Sequence, residues 1–309
     1  MGGKYRVLQH LSTGGMGHVY EAEHIYTRRR VALKVMHAKS DDNSARFMRE
    51  AEAVSAVDHP GVVEMLDAGR DADGCWYAVF ELLVGDDLES RLAGGGMRPA
   101  ELVAVALNVL EALAATHAQG YVHRDIKPAN IFLDCDRGGV QRIKVLDYGI
   151  AEPMGSQTSV GQHRIGTLEY MSPEQAAARP VDARTDVWSV GAVLFRGLTG
   201  RGPVQAPNRV ELARRLQEED VPSVGTLRPD LPEDLVSVVD RALAREPSRR
   251  WRSAEDMAQA LLCLDPAELA PLPAAGRRPT SVARRLDARF FSQSTVDLLS
   301  PNALLAVAS

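Results

Sequence analysis

The periodicity of apolar residues changes character once along the chain, near Gly85. From Tyr5 to about Leu83 the runs YRVLQHL, HVYEAEHIY, RRRVALKVM and WYAVFELL alternate, or stay apolar throughout, between polar turns, as strands do. One helix is expected among them, from about Asn43 to Val57, where Phe47, Ala51, Val54 and Ala56 or Val57 recur at helical spacing. After Gly85 the pattern is helical. Pro99 opens a long helix striped by Leu102, Val105, Ala106, Val109, Leu110, Leu113 and Ala114, and Gly120 stops it. DVWSVGAVLFRGLTG, Asp186 to Gly200, is apolar on nearly every side, which marks a helix inside a large lobe. Leu235, Val238, Val239, Ala242 and Leu243 stripe another helix, and Ser253 with Asp256 reads as an N-cap. A small sheet with one helix, joined to a larger helical body, satisfies this order.

The 309 residues can bury a full core, as one large domain or two lobes, and no internal repeat competes with that organisation. Residues 266–309, rich in Pro and Ala with basic pairs, cannot build a core and are expected to be a disordered tail. A net charge of -5 gives no basic footprint, so nucleic acid is not an expected partner. Cys75, Cys135 and Cys263 are scattered, which argues against a disulfide framework or a structural zinc site and fits a reducing cytoplasm. No uninterrupted run reaches the ~20 apolar residues of a membrane span, so no membrane anchor is expected. The opening MGGK lacks the Ser or Thr of a myristoylation signal, its place being held by Arg6.

The stretch YVHRDIKPANIFL, residues 121–133, gathers His123, Arg124, Asp125, Lys127 and Asn130 between strand-like ends. Such a set is costly to bury unless it faces one common ligand, and a polyanion carrying metal ions suits it. In LSTGGMGHVY, glycines allow the backbone to approach phosphates, with a mere tight turn as the plainer alternative; the strand that follows excludes a dinucleotide loop, which must open a helix. VALK puts Lys34 inside an apolar strand, where it either snorkels to the rim or meets an anion, with Glu50 as the available partner. Asp147, just after the strand IKVL, offers hard oxygen ligands beside Asn130 that suit Mg²⁺; an ordinary Asp-x-Gly turn is the plainer alternative.

Taken in order, GGMG (14–17), VALK (31–34), Glu50, HRDIKPAN (123–130), DYG (147–149), GT (166–167), SPE (172–174), DVWSVG (186–191) and Arg250 resemble a eukaryotic-type protein kinase of the bacterial serine/threonine class, over about residues 5–264. The resemblance implies an α+β, two-lobed kinase fold: a β-rich N-lobe with one main helix over about 1–84 and a larger, mostly helical C-lobe over 85–265. It implies ATP and Mg²⁺ as cofactors and protein Ser/Thr hydroxyls as acceptors. Asp125 would accept or orient the hydroxyl proton, Lys127 would steady the transferred phosphoryl group, and Asn130 and Asp147 would hold Mg²⁺. Lys34, paired with Glu50, would grip the α- and β-phosphates. Leu11, Gly14, Gly15, Gly17, Val19 and Ala32 would cover the nucleotide, with Phe80 behind it and Glu81 to Leu83 as the hinge. Thr167 would contact the catalytic Asp125 and Lys127, and Thr158 and Ser159 are candidate phosphate acceptors in an activation segment ordered through Arg124. Glu174 is expected to pair with Arg250, and Asp186 to brace the catalytic loop.

Three departures from the family pattern stand out. Ser12 occupies the place of the first loop glycine, Tyr148 that of the usual phenylalanine after Asp147, and Ser172 that of the alanine in APE. A buried Tyr148 hydroxyl would need a partner. Two rival readings are an ATP-binding pseudokinase scaffold and a small-molecule phosphotransferase of kinase-like fold; the first is opposed by the intact Lys34, Glu50, Asp125, Asn130 and Asp147, the second by the GT and SPE segment. Thr280 and Ser281 in RRPTS could be phosphorylated in the tail, though a solvated tail explains the composition as well. An upstream kinase or a regulatory protein is expected to supply the signal, and dimerisation through the small lobe is open.

Overall fold

The computed structural model describes residues 3–13, 17–36, 51–71, 74–94, 96–135, 141–148, 152–154, 165–265 and 267–269. β1 (Tyr5–Thr13), β2 (Gly17–His24), β3 (Arg30–Met36), β4 (Met65–Arg70) and β5 (Trp76–Glu81) form one antiparallel sheet in the order β1-β2-β3-β5-β4. Residues 51–56 form helix α1; the Asn43–Glu50 part of the expected helix lies outside the described residues. Alternation along β3 sends Val31 and Leu33 to one face, where they pack with Ala22, Tyr77 and Val79. Ala32 and Lys34 go to the other. Residues directly opposed across strands share a face, so Val19 and Ala78 lie beside Lys34, and Phe80 beside Ala32.

Beyond this sheet, β6 (Gly85–Asp87) leads into α2 (Leu88–Ala93), capped by the Asp87 carboxylate on the Ser90 N–H at 2.7 Å. α3 (Pro99–Ala118) follows, then the short strand β7 (Tyr121–Val122) and the hairpin of β8 (Ile131–Cys135) and β9 (Gln141–Val145), on which β6 pairs as a third strand. β10 (Glu152–Pro153) pairs with β7. The remaining helices are α4 (Pro173–Ala176), α5 (Arg184–Thr199), α6 (Arg209–Glu218), α7 (Val224–Leu227), α8 (Glu233–Ala242) and α9 (Ala254–Leu262). An antiparallel sheet followed by a helical body agrees with the two-lobed α+β fold expected from the sequence.

Helix α5 is the centre of the large lobe. Val187, Trp188, Val190, Val193, Leu194 and Phe195 are all buried against α3, α8 and α9. Gly191 lets α8 approach, since a Cβ there would stand 2.8 Å from the Ala242 Cβ. α3 is long and apolar enough on average to cross a membrane, although no uninterrupted apolar run announces it. Its leucines and valines are instead buried in the protein core.

Two ties join the sheet to the hairpin. Val62 bridges Val145 in parallel, with Val145 N–H donating to Gly61 O at 2.7 Å. Lys144 donates to Glu81 Oε1 at 2.5 Å and to Val62 O at 3.1 Å. These bonds fix β9, and so the start of the segment that carries Asp147, against the end of β5.

Candidate active site

The site forms where β3, the loop after β7 and the segment after β9 meet. Lys34, from the first of these, donates to Asp147 Oδ1 at 2.9 Å across 113 positions of sequence. The apolar β3 buries the lysine stem and leaves its side chain 14% exposed, while Asp147 keeps 42% exposure. The Lys34 charge holds the Asp147 carboxyl below the usual range, against the opposing effect of burial. Oδ2 of Asp147 accepts no hydrogen bond among the described residues.

The loop 123–127 is strung between buried anchors. Asp186, at the start of α5, accepts the His123 and Arg124 backbone N–H groups and His117 Nε2, each at 2.8 Å. Burial pushes the Asp186 carboxyl up, but these donors outweigh it and hold it below the ordinary aspartate value. Gln175 holds the other side of the same residue, donating to Arg124 O at 2.9 Å. Arg124 needs both grips, because its φ of 68° is left-handed, as is the 60° of Asp147. Non-glycine residues persist there when their surroundings over-determine them. The His123 ring meets Leu146 O through Nε2 at 3.0 Å and the Asp125 N–H through Nδ1 at 3.3 Å. A carbonyl requires a donor and an N–H an acceptor, which selects the neutral Nε2–H tautomer.

Asp125 is 6% exposed. Its Oδ2 accepts both Lys127 Nζ at 2.6 Å and Asn130 Nδ2 at 3.0 Å, leaving Oδ1 without a hydrogen bond among the described residues. Burial pushes this carboxyl up; Lys127 opposes the shift without cancelling it. Asn130, on the tight turn Pro128–Asn130, also donates to Asp125 O at 2.8 Å. With its NH₂ spent inward, its amide oxygen is the group left for an outside partner. The donor set therefore fits a magnesium-bound nucleotide: an amide oxygen and a carboxylate oxygen as hard ligands, with two lysines beside them.

A family profile described as the protein kinase domain matches residues 5–263. The chain belongs to the protein kinase family. The serine/threonine-protein kinase PrkC of Bacillus subtilis is 35% identical over 260 residues, 82% of this chain and 39% of the relative. The corresponding figures are 38% over 270 residues, 84% and 32% for pkn2 of Myxococcus xanthus, and 36% over 263 residues, 82% and 42% for PknB of Mycobacterium leprae. The chain thus spans a third to two fifths of the length of these relatives.

Within this kinase domain, the residues expected to cover the nucleotide divide into three groups. Val19 and Ala32 are half-buried on the Lys34 face of the sheet, and Leu11 is 45% exposed at a bulge of β1. Leu83 is half-buried just past β5. Gly17 and Glu81 also have structural duties. A Cβ on Gly17 would collide with the Val35 carbonyl, so pairing of β2 with β3 by itself demands glycine. Oε1 of Glu81 accepts from Lys144 and from the Glu64 N–H, so its side chain ties the end of β5 to β9 and to the chain before β4. Gly14, Gly15, Glu50, Thr158 and Ser159 lie outside the described residues, as does the Thr167 side chain on the turn Ile165–Tyr170.

The expected bridge between Glu174 and Arg250 is present and complete. Arg250 donates to both Glu174 oxygens at 2.8 and 2.7 Å and to the carbonyls of Ala244, Arg184 and Arg245, while Thr185 adds a bond to Glu174 Oε1 at 2.7 Å. Sequence reasoning missed His117, Gln175, Lys144 and Thr116. The Gln175 signal was readable, since Ser172 and Gln175 form a capping box on α4. The other three sit in regular helix or strand, where no local pattern marks a polar residue that bonds to a distant segment.

Proposed function

We propose that this domain transfers the γ-phosphoryl group of ATP to serine or threonine hydroxyls of proteins, with magnesium. The observation that carries the reading is the convergence of Lys34 from the sheet with Asp147 from the segment after β9, beside a buried Asp125 that keeps one oxygen unbonded among the described residues. Phosphoryl transfer needs position and charge more than covalent help. Asn130 and Asp147 are the residues that would hold magnesium, which would supply positive charge against the phosphates.

The remaining work falls to side chains. Oδ1 of Asp125 receives the acceptor hydroxyl and takes its proton as the new oxygen–phosphorus bond forms and the bond to the ADP oxygen breaks. Lys127 stabilises charge on the transferred group from its place beside Asp125, and Lys34 binds the non-transferred phosphates. The apolar face of Val19, Ala32 and Phe80 covers the base. The choice of Ser/Thr over Tyr rests on Lys127, two residues after Asp125, and on the similarity to serine/threonine-protein kinases. Residues 1–265 act as the kinase domain, with 266–309 as a tail outside it. Thr158 and Ser159 would be autophosphorylated or modified by an upstream kinase. The free cysteines fit a cytoplasmic setting.

Transfer of radiolabel from ATP to a basic protein tests the reading. Wild-type protein with magnesium should label it, and Asp147→Asn should label at least about 10³-fold more slowly. ATP binding by the wild type without transfer would overturn the reading and leave the scaffold in its place.

A further inference from the structure

Tyr148 departs from the family pattern, and its hydroxyl is fully buried with one specific partner. It lies 3.1 Å from Thr116 Oγ1, near the end of α3, and both residues are 0% exposed. The Thr116 hydroxyl has one proton, directed at Ala112 O at 2.9 Å. Its oxygen is therefore the acceptor, and Tyr148 the donor. The Tyr148 ring also sets its edge on the His123 ring, with centroids 4.6 Å apart and planes at 63°.

These contacts complete a frame around Asp147. On its N-terminal side, Leu146 donates its N–H to Asn130 O at 2.9 Å and accepts His123 Nε2 at 3.0 Å. On its C-terminal side the hold is Tyr148. Between them Asp147 keeps a left-handed φ of 60°. A phenylalanine would fill the same space, but packing alone has no direction. The bond to Thr116 is made only while Tyr148 occupies this pocket, which is also the arrangement that points Asp147 at Lys34. Thr116 directly precedes His117, which holds Asp186 and through it the catalytic loop. The last turns of α3 therefore fix both segments of the site.

We propose that Tyr148 is a positioning residue: its hydrogen bond to Thr116 biases the chain toward the conformer in which Asp147 faces Lys34 and the phosphate site. The catalytic consequence rests on the kinase reading above; the conformational bias does not.

The test is a double-mutant cycle on the full chain with Tyr148→Phe and Thr116→Val, read first by amide hydrogen exchange at Leu146 without nucleotide. Each single variant should speed exchange there by about 3- to 10-fold, the worth of one net hydrogen bond, and the double variant no further. Thr116→Ser, which keeps the hydroxyl, should exchange like the wild type and controls for packing damage. In the transfer assay, the magnesium concentration for half-maximal rate should rise by a similar factor in Tyr148→Phe while the KM for the protein substrate stays fixed. Unchanged exchange at Leu146, or additive effects in the double variant, would overturn the bias. Altered exchange with an unmoved magnesium requirement would overturn the positioning role. A wild type that transfers no phosphate sinks the kinase reading and leaves the exchange cycle intact as a test.

Discussion

Asp125 and Glu174 are both buried carboxylates facing a cation, at 6% and 7% exposure. Their acidities nevertheless move in opposite directions. Burial pushes Glu174 up as it does Asp125, yet the Arg250 fork and Thr185 outweigh it and hold Glu174 below its ordinary value. Asp125 stays raised. The difference is how the oxygens are used. Glu174 has both bonded in a two-pronged fork, and Arg250 has every N–H placed. Asp125 receives Lys127 and Asn130 on the same oxygen and leaves the other unbonded among the described residues. A saturated carboxylate holds the fold together, whereas one left with an unbonded oxygen can meet a substrate.

Substitutions at the two sites should therefore separate activity from stability. Asp125→Asn should lower kcat by roughly 10²- to 10⁴-fold while its thermal midpoint stays level or rises, because a poorly stabilised buried charge has gone. A melt that drops sharply would show that Asp125 is structural after all. Glu174→Gln should do the reverse. Leaving Arg250 buried without its carboxylate should cost about 3–5 kcal/mol of unfolding free energy by denaturant titration, with transfer per folded molecule changed far less than in Asp125→Asn. Equal losses of activity in the two variants would erase the distinction.

Much of this comparison was legible beforehand, and the boundary of legibility is physical. The apolar stripe of α3, the all-round apolarity of α5 and the strand runs in the sheet announce themselves because periodicity is local. Asp125, Lys127 and Asn130 stand out because charged and polar residues gathered between apolar strand-like ends need a reason, whereas Asp147 stands out only through its place downstream of them. The pairs Lys144 with Glu81 and His117 with Asp186 were not, since each joins residues 63 and 69 positions apart that look ordinary in their own elements. The strained backbone at Arg124 was equally hidden. Nothing in HRD predicts a left-handed φ, which follows from two opposed grips, Asp186 and Gln175, that only the tertiary fold supplies.

Acid titration gives a smaller effect with a defined sign. A carboxyl whose folded pKa is lowered contributes stability that is complete above its unfolded value and is lost as pH falls through the folded value. For Glu174 that loss begins as pH drops below about 4.5, its ordinary value. Asp186 behaves likewise, starting from 3.8. Asp125 has the opposite sign: its raised pKa makes it a liability that sets in as pH rises above 3.8 through the folded value. The wild type should lose stability steadily on acidification from pH 5 to pH 3, Glu174→Gln should lose it less steeply, and Asp125→Asn more steeply. Parallel curves for all three, followed by thermal midpoint against pH, would remove the claimed opposition.

The smallest expected effect is the one that isolates the cause. Arg252 Nε donates to Asp256 Oδ2 at 3.0 Å, barely longer than the bonds between Arg250 and Glu174, and it too joins an arginine to a carboxylate. Its partners are 88% and 38% exposed, however, whereas the Arg250 side chain is 0% exposed. Water can replace every bond that Arg252 makes, so Arg252→Ala should shift unfolding free energy by no more than about 0.5 kcal/mol, and 0.5 M NaCl should shrink even that. If the exposed pair instead mattered as much as Glu174, bond length and charge would be deciding stability in this protein. The contrast between Asp125 and Glu174 could then no longer be ascribed to how fully each buried oxygen is bonded.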